Sequence, residues 1–544
     1  MQKLLLLGDE AIAQGAIDAG ISGIYAYPGT PSTEITEYVQ KSKEAREKNI
    51  RSDWSANEKT AMESALGMSY AGKRAMVCMK HVGLNVAADG FINSAITGAN
   101  GGLIVVAADD PSMHSSQNEQ DSRCYGKFAL TPILEPSNQQ EAYDMIHYGF
   151  DLSEKLRVPV LLRITTRLAH SRSGVIRTEE RKQNELKLPE NLTQFVLLPV
   201  IARKQYKELL NHQDAFKEFS EVSGFNTYYE GKNKKLGVIA CGITYNYLME
   251  NYPERDIPYP VLKIGQYPVP EKMINTLYEE CEEILILEDG YPVIEELLRG
   301  LLNKGKTIHG RLDGSLPRDG ELNPVIVGKA IGHQFEPGLV APDFIRPRPP
   351  KLCNGCSHND AFAALNEALA PYSKGRVFSD IGCYTLSALK PLEAINTCVD
   401  MGASITMAIG ASEAGLAPAV AAIGDSTFTH SGMTGLLDAV NNNTNITVLI
   451  LDNSTVGMTG GQKSSALGKL EKICIGLGVE EEHIRVLKPI RKKHEENVSV
   501  IKEELKYDGV SVIIPRRECI QTLNRRMRAK HKAKLAEQTK ELDI

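Results

Sequence analysis

Short apolar runs recur along this chain, separated by longer stretches in which apolar residues return every three or four positions. Residues 23–27, 75–79, 103–107 and 158–164 are such runs, and they are continuous rather than alternating. A strand reads that way when both of its faces are covered, as in a parallel sheet flanked by helices. Residues 1–190 therefore predict one α/β domain. Residues 191–235 are charged and rich in Asn and Gln, with an amphipathic helical pattern at 207–222, and read as a connecting segment. A second, smaller α/β unit follows at 236–335, with strand-like runs at 236–240 and 283–288. Arg346-Pro347-Arg348-Pro349-Pro350 cannot be helical, which makes 336–350 a linker. A third α/β domain fills 351–520, and 521–544 is a basic helical tail.

Within the third domain, residues 417–423 and 446–451 read as buried strands and 430–442 as the helix between them, a βαβ unit. The first strand runs into Gly424-Asp425-Ser426 and the second into Asp452-Asn453-Ser454-Thr455, with 26 residues between Ser426 and Asn453. Both strand ends fall on one edge of a parallel sheet, where α/β proteins bind ligands. Oxygen donors from Asp425 and Asn453, with neighbouring backbone carbonyls, suit Mg²⁺, which bridges readily to a diphosphate.

This spacing resembles the thiamine diphosphate motif. Thr427-Phe428-Thr429-His430-Ser431-Gly432, Met458-Thr459-Gly460-Gly461-Gln462, Tyr27-Pro28-Gly29-Thr30-Pro31-Ser32 and Met79-Lys80-His81-Val82-Gly83-Leu84-Asn85 extend the likeness to nearly the whole chain up to Cys519. Together they resemble the large subunit of the indolepyruvate:ferredoxin oxidoreductases, within the 2-oxo acid:ferredoxin oxidoreductase family. The resemblance implies a multidomain α/β protein in which two thiamine diphosphate-binding parallel-sheet domains flank a smaller transketolase C-terminal-like domain. The pyrimidine-type domain would be 1–190 and the diphosphate-type domain 351–520. Gly424, Asp425, Ser426, Asn453, Thr455 and Thr459 are then the cofactor contacts, with Mg²⁺ on Asp425, Asn453 and Thr455.

On the pyrimidine side the matching carboxyl is Glu58, which would hydrogen-bond the cofactor ring and activate it. Standing alone, Glu58 reads equally as an acid favoured at a helix start. Thr30, Lys80 and His81 match the 2-oxo acid carboxylate site. Arg123 is a further candidate there, or else a residue of a surface salt bridge.

Ten cysteines add a second chemistry. A Cys-x₂-Cys pair, Cys353 and Cys356, is followed by Cys383 and, after the Thr-Gly-Gly-Gln loop, by Cys474. Four thiolates hold a [4Fe–4S] cluster or zinc, and the same pair can be a structural turn with free thiols. The wider family places a cluster at these positions. Indolepyruvate-type large subunits carry their clusters in a C-terminal ferredoxin-like module, so the likeness to that type does not itself imply a cluster at these cysteines. No cysteine follows Cys519, so that module has no counterpart here, and electrons would leave through a cluster beside the thiamine or through another subunit.

Composition is that of a large enzyme: 544 residues, 42% hydrophobic and 24% charged, enough for two to four cores. A net charge of −6 gives no reason to expect nucleic acid, and the basic cluster at 525–534 reads as a solvated helix face. No apolar run reaches the roughly 18–20 residues of a membrane span, and the start lacks a signal-peptide pattern, so a cytoplasmic location is expected. The activity that the family resemblance implies is oxidative decarboxylation of an aryl 2-oxo acid, such as indolepyruvate or phenylpyruvate, to its acyl-CoA. Coenzyme A is the co-substrate and ferredoxin, or a separate electron-transfer subunit, takes the electrons. A smaller partner subunit and a dimer of this chain complete the expected assembly. The alternative is a non-oxidative thiamine-dependent decarboxylase or carboligase. A non-catalytic scaffold fits poorly with an intact Glu58, Asp425 and Asn453.

Overall fold

A computed structural model describes residues 2–191, 193–301, 305–336, 338, 342–346, 351–398 and 400–542. The chain divides into two compact units, residues 1–339 and 340–544. Most of the proline-rich linker, 347–350 included, lies outside the described residues.

In the first unit β1 (Lys3–Leu7) enters α1 (Gly8–Asp18), and β2 (Gly23–Ala26) leads through a loop to α2 (Thr33–Lys41). The pattern repeats with β3 (Arg51–Trp54) and α3 (Glu58–Tyr70), β4 (Ala75–Lys80) and α4 (His81–Thr97), and β5 (Leu103–Asp109) and α5 (Arg123–Ala129). Then come β6 (Ile133–Leu134), α6 (Gln139–Leu156), β7 (Val160–Thr165), α7 (Thr166–His170) and β8 (Arg172–Ile176), the last pairing antiparallel with β1. The central strands β4, β5 and β7 are buried at every position, which is why their sequences are unbroken apolar runs.

A second sheet in this unit contains β9 (Thr227–Tyr229), β10 (Leu236–Cys241), β11 (Val261–Ile264), β13 (Glu283–Leu287) and β14 (Thr307–His309), in the order β14-β13-β10-β11-β9. The stretch that reads as a connector thus supplies an edge strand, β9. The short β12 (Gln266–Tyr267) leaves this region and pairs with β6, giving the first sheet seven strands in the order β12-β6-β7-β5-β4-β2-β3. A single hydrophobic core runs through the unit.

The second unit holds a five-stranded parallel sheet, β15-β16-β17-β21-β20, built from β15 (Val377–Ser379), β16 (Val420–Gly424), β17 (Ile446–Leu451), β20 (Ile484–Leu487) and β21 (Val510–Pro515), and a short antiparallel pair of β18 (Thr455–Val456) and β19 (Gln462–Lys463). The two faces of the larger sheet carry separate cores. Val420, Ala422, Leu449 and Leu451 face one, with Phe362 and Ile501, while Ala421, Ile423, Val448 and Ile450 face the other, with Ile405 and Leu436. Alternate residues of one strand fill opposite cores, so no position between 420 and 424 can be polar. Helix begins immediately at Asp425, earlier than the pattern suggests. It winds as a π-helix over Phe428–Gly432 and continues as α8 (Met433–Asn441). The tail forms α9 (Ile520–Leu542).

Among the described residues, no helix is long and apolar enough to cross a membrane.

Candidate active site

Parallel pairing puts the ends of β2, β4, β5 and β7 on one edge of the first sheet. The loop 27–32, Lys80, His81, Asp110 and Thr166 all leave from that edge. The Gly29 backbone passes over the Lys80 stem, where a Cβ would sit 3.4 Å from Lys80 Cγ and Cδ. This sets the Thr30 loop beside the lysine. Lys80 is buried and donates to the Ser115 carbonyl at 2.8 Å. Burial brings its ammonium down to about 8, opposed by the carboxylates of Asp110 and Glu58. Asp110 is itself held by Ser115 N–H (2.8 Å) and the hydroxyls of Ser116 (2.6 Å) and Thr166 (2.7 Å). His81 places Nε2 3.2 Å from the Asn118 carbonyl oxygen, while its buried Nδ1 has no hydrogen-bond partner among the described residues.

Glu58 opens α3 behind Asn57, whose side chain caps the helix by accepting from Thr60 N–H at 2.8 Å. The carboxyl is buried and lies against Gly83 in the first turn of α4, where a Cβ would meet Oε1 at 2.6 Å. Only glycine leaves room for the acid there. The structure thus groups Glu58, Lys80 and the loop of Thr30, with His81 next in the chain.

Arg123 does not join them. Its guanidinium is 1% exposed and donates to Asp121 (2.9 and 2.6 Å), Glu288 (2.8 Å), the Tyr267 hydroxyl (3.2 Å) and the Tyr291 carbonyl (2.9 Å). Every N–H is engaged, so nothing remains to bind a substrate carboxylate. Arg163 beside it pairs with Asp109 at 2.6 Å and with Glu135. The two arginines tie the first sheet to the second through a buried ion network, so Arg123 is paired with acids, but in the interior and not at the surface where the sequence places a salt bridge.

In the second unit Gly424 and Leu451 are register partners, so Asp425 and Asn453 emerge from adjacent strand ends. Asp425 is buried, and its Oδ2 has no hydrogen-bond partner among the described residues. The Ser426 hydroxyl is likewise unpartnered. Burial pushes the Asp425 carboxyl up to about 7, opposed by the Ser464 hydroxyl and reinforced by Asp452. Asn453 Oδ1 accepts from Thr455 N–H at 3.0 Å. Thr455 Oγ1 donates to the Gln462 carbonyl (2.8 Å), and Thr459 Oγ1 to Gln462 Oε1 (2.6 Å), folding 455–462 into a closed loop. A buried acid with an unsatisfied oxygen, beside an amide and two hydroxyls, is a donor set that a hard divalent cation completes. These residues therefore fit Mg²⁺ and a diphosphate.

The basic tail touches this loop. A Cβ on Gly461 would meet Thr522 Oγ1 at 3.2 Å and Arg525 Nη1 at 3.7 Å, and Arg525 donates to the Gly460 carbonyl.

The thiols gather differently from the spacing. The charges acting on Cys383 are those of Cys356, Cys519 and Cys353, and Cys353 and Cys519 likewise act on Cys356. Burial raises the Cys383 thiol to about 12. Cys519 is brought here because its N–H donates to the Asn453 carbonyl at 3.1 Å, directly after β21. Cys474, expected as the fourth ligand, lies instead in the second core with Leu470, Val448 and Val479, shut away from the other three. A Cβ on Gly457 would lie 3.0 Å from Cys383 Sγ and 4.0 Å from Asn453 Nδ2, so the thiol cluster abuts the diphosphate loop.

Two more residues escaped the sequence reading. His358 is fully buried, with Nε2 3.5 Å from Asn453 Nδ2. Asp380 sits in Asp380-Ile381-Gly382-Cys383, accepts from the Ser404 hydroxyl at 2.6 Å and from Tyr384, and is pushed up to about 7 by burial. Their motifs were visible, but no periodicity marks them as buried.

Comparison with known proteins agrees with this geometry. The family described as "Pyruvate flavodoxin/ferredoxin oxidoreductase, thiamine diP-bdg" matches residues 14–206, and "Thiamine pyrophosphate enzyme, C-terminal TPP binding domain" matches 380–514. Indolepyruvate oxidoreductase subunit IorA of Archaeoglobus fulgidus is 40% identical, over 95% of this chain and 86% of its own length. This chain belongs to the IorA family. The Pyrococcus abyssi IorA is 38% identical over the same shares of the two chains. A chain of the solved 2-oxoglutarate:ferredoxin oxidoreductase of Magnetococcus marinus overlays 60% of this chain and 65% of its own at 17% identity, with a TM-score of 0.48. As an IorA-family chain it is a thiamine diphosphate-dependent oxidoreductase of the 2-oxo acid class, with the α/β thiamine-binding domains that its motifs imply.

Proposed function

We propose that this chain is the large subunit of an enzyme that oxidatively decarboxylates an aryl 2-oxo acid, of the indolepyruvate or phenylpyruvate class, to its acyl-CoA and passes two electrons to ferredoxin. The observation that carries this reading is the buried Asp425 with its unsatisfied oxygen, set at paired strand ends beside Asn453, whose loop abuts the cluster of thiols. Thiamine diphosphate, when bound, supplies the electron sink for loss of the carboxylate. Asp425, Asn453 and Thr455 hold Mg²⁺, and Gly424, Ser426 and Thr459 line the diphosphate. Glu58 serves the pyrimidine ring, exchanging a hydrogen bond and a proton with it. Lys80, charged below about pH 8, and the donors of Thr30 and His81 orient the substrate carboxylate.

Cys353, Cys356, Cys383 and Cys519 hold one [4Fe–4S] cluster. Burial and the neighbouring thiols oppose ionisation of Cys356 and Cys383, and bound iron would reverse that balance. A cluster carries one electron at a time, which matches ferredoxin. Coenzyme A as the acyl acceptor, the smaller partner subunit and a cytoplasmic location rest on the family likeness.

The test is iron, sulfide and zinc content with an absorption spectrum on anaerobically purified protein. About four iron and four sulfide per chain, with a band near 400 nm bleached by dithionite, supports the reading. Protein without iron that releases aldehyde from the 2-oxo acid would replace it with non-oxidative chemistry.

A further inference from the structure

Asp9, in the first turn of α1, is 0% exposed, and neither of its carboxylate oxygens has a hydrogen-bond partner among the described residues. Leaving a buried carboxylate bare costs several kcal/mol, so the group is either protonated or faces a cation. The charges acting on it are Glu34 and Glu10, both negative, and with burial they drive its carboxyl well above the usual range. Glu34 Oε2, in the first turn of α2, is also without a hydrogen bond. It lies 3.6 Å from His170 Nε2, too long for one. One ligand atom each from Asp9, Glu34 and His170 lies within 4.8 Å of the other two.

We propose that Asp9, Glu34 and His170 form a binding site for a first-row divalent transition-metal ion, separate from the diphosphate site. Two carboxylate oxygens and one imidazole suit Mn²⁺, Fe²⁺, Co²⁺ or Zn²⁺, and the imidazole argues against Mg²⁺ or Ca²⁺. The ion neutralises Asp9, on which only the negative charges of Glu34 and Glu10 act, while Glu34 is also reached by the charges of His170 and Lys41. The side chains of Glu34 and His170 are 40% and 36% exposed, which opens one side for ion entry and for water to complete the coordination.

Two other groups of three possible ligands are unlike this one. Asp18, Glu44 and Glu180 already share the Arg177 guanidinium at 2.6, 2.8 and 3.2 Å. Glu480, Glu482 and His483 offer no buried acid. The Asp9 group joins three helices. Glu34 follows directly on the loop of Thr30 and Ser32, and α7, which ends at His170, begins at Thr166 on Asp110. A bound ion therefore braces α2, which follows the Thr30 loop, and α7, whose Thr166 holds Asp110; that this steadies a substrate site rests on the proposed function, although the metal site itself does not.

The test uses the full chain, stripped with chelator and free of thiamine diphosphate, with Mn²⁺ as probe because it binds thiols weakly. The electron paramagnetic resonance signal of free Mn²⁺ counts bound ions. Asp425→Ala serves as background, so the diphosphate site cannot contribute. One Mn²⁺ per chain is expected there, with affinity falling at least tenfold on adding Asp9→Asn or His170→Ala, and Mn²⁺ raising the melting temperature only while His170 is present. His170 is partly exposed, so its variant keeps the fold even if Asp9→Asn does not. Unchanged Mn²⁺ binding in the His170→Ala variant, or none in the background protein, overturns the proposal and leaves Asp9 neutralised by a proton. A failure of cofactor loading in the parent protein would count against the proposed function alone.

Discussion

Replacing Asp425 by Asn should stabilise the cofactor-free protein while abolishing its response to cofactor. The Asp425 carboxyl moves from an ordinary 3.8 to about 7 on folding, because burial disfavours its charged form. About three units at 1.36 kcal/mol each place the cost of holding it ionised at roughly 4 kcal/mol. The folded state binds more protons than the unfolded state between pH 4 and pH 7, so stability falls as pH rises across that window. The cost is absent below about pH 4 and complete above about pH 7. Asn has the same shape and no charge, so the variant gains up to about 4 kcal/mol over the parent at pH 8 and little at pH 4. Asp380 carries a similar shift to about 7, and it cancels in the comparison because both proteins contain it. Amide hydrogen exchange of the strands at 420–424 and 446–451, in chelator, reads this unit without the other. Adding Mg²⁺ and thiamine diphosphate should then protect the parent and leave the variant unchanged. An Asn variant that is less protected than the parent at pH 8, or equally displaced from it at pH 4 and pH 8, would refute the argument.

Other outcomes follow from the same geometry. Cys519→Ser should lose the iron cluster and its 400 nm band, while Cys474→Ser should keep both, as checked by iron content and spectrum on anaerobic protein. Arg123→Ala should lower the stability of the first unit by about 3–5 kcal/mol, because it leaves Asp121 and Glu288 buried without their partner. Denaturant titration would show this, and a variant of parental stability with only a raised KM for the 2-oxo acid would return Arg123 to the substrate site. The KM for the 2-oxo acid should rise about tenfold per pH unit above about 8 as Lys80 loses its proton, and Lys80→Arg, which stays charged, should flatten that rise. A profile unchanged by this substitution would exclude Lys80 as the charge that titrates.

The buried central strands were legible in the sequence because burial on both faces leaves a local signature, whereas edge strands such as β1, β9 and β20 were not. The run from 446 to 451 needs no neighbour to be read as a strand, and Asp425 and Asn453 then follow from parallel pairing alone. Motif strings carried the family and, with it, Glu58, Lys80 and His81. What the tertiary structure decided were the partners of side chains that are far apart in sequence. Arg123 has the same local sequence whether it faces a substrate or two acids, and only the approach of Glu288 and Tyr267 from the second sheet commits it. Cys474 and Cys519 are both lone cysteines, distant in sequence from the other thiols, yet one points into a core and the other is drawn to Asn453 by a backbone hydrogen bond. The acids at Asp9 and Glu34 read as ordinary helix starts until three helices bring them to His170. Periodicity reports how a residue meets the sheet or helix it belongs to, whereas a site is made where several elements converge, and that convergence is set by the packing of the whole unit.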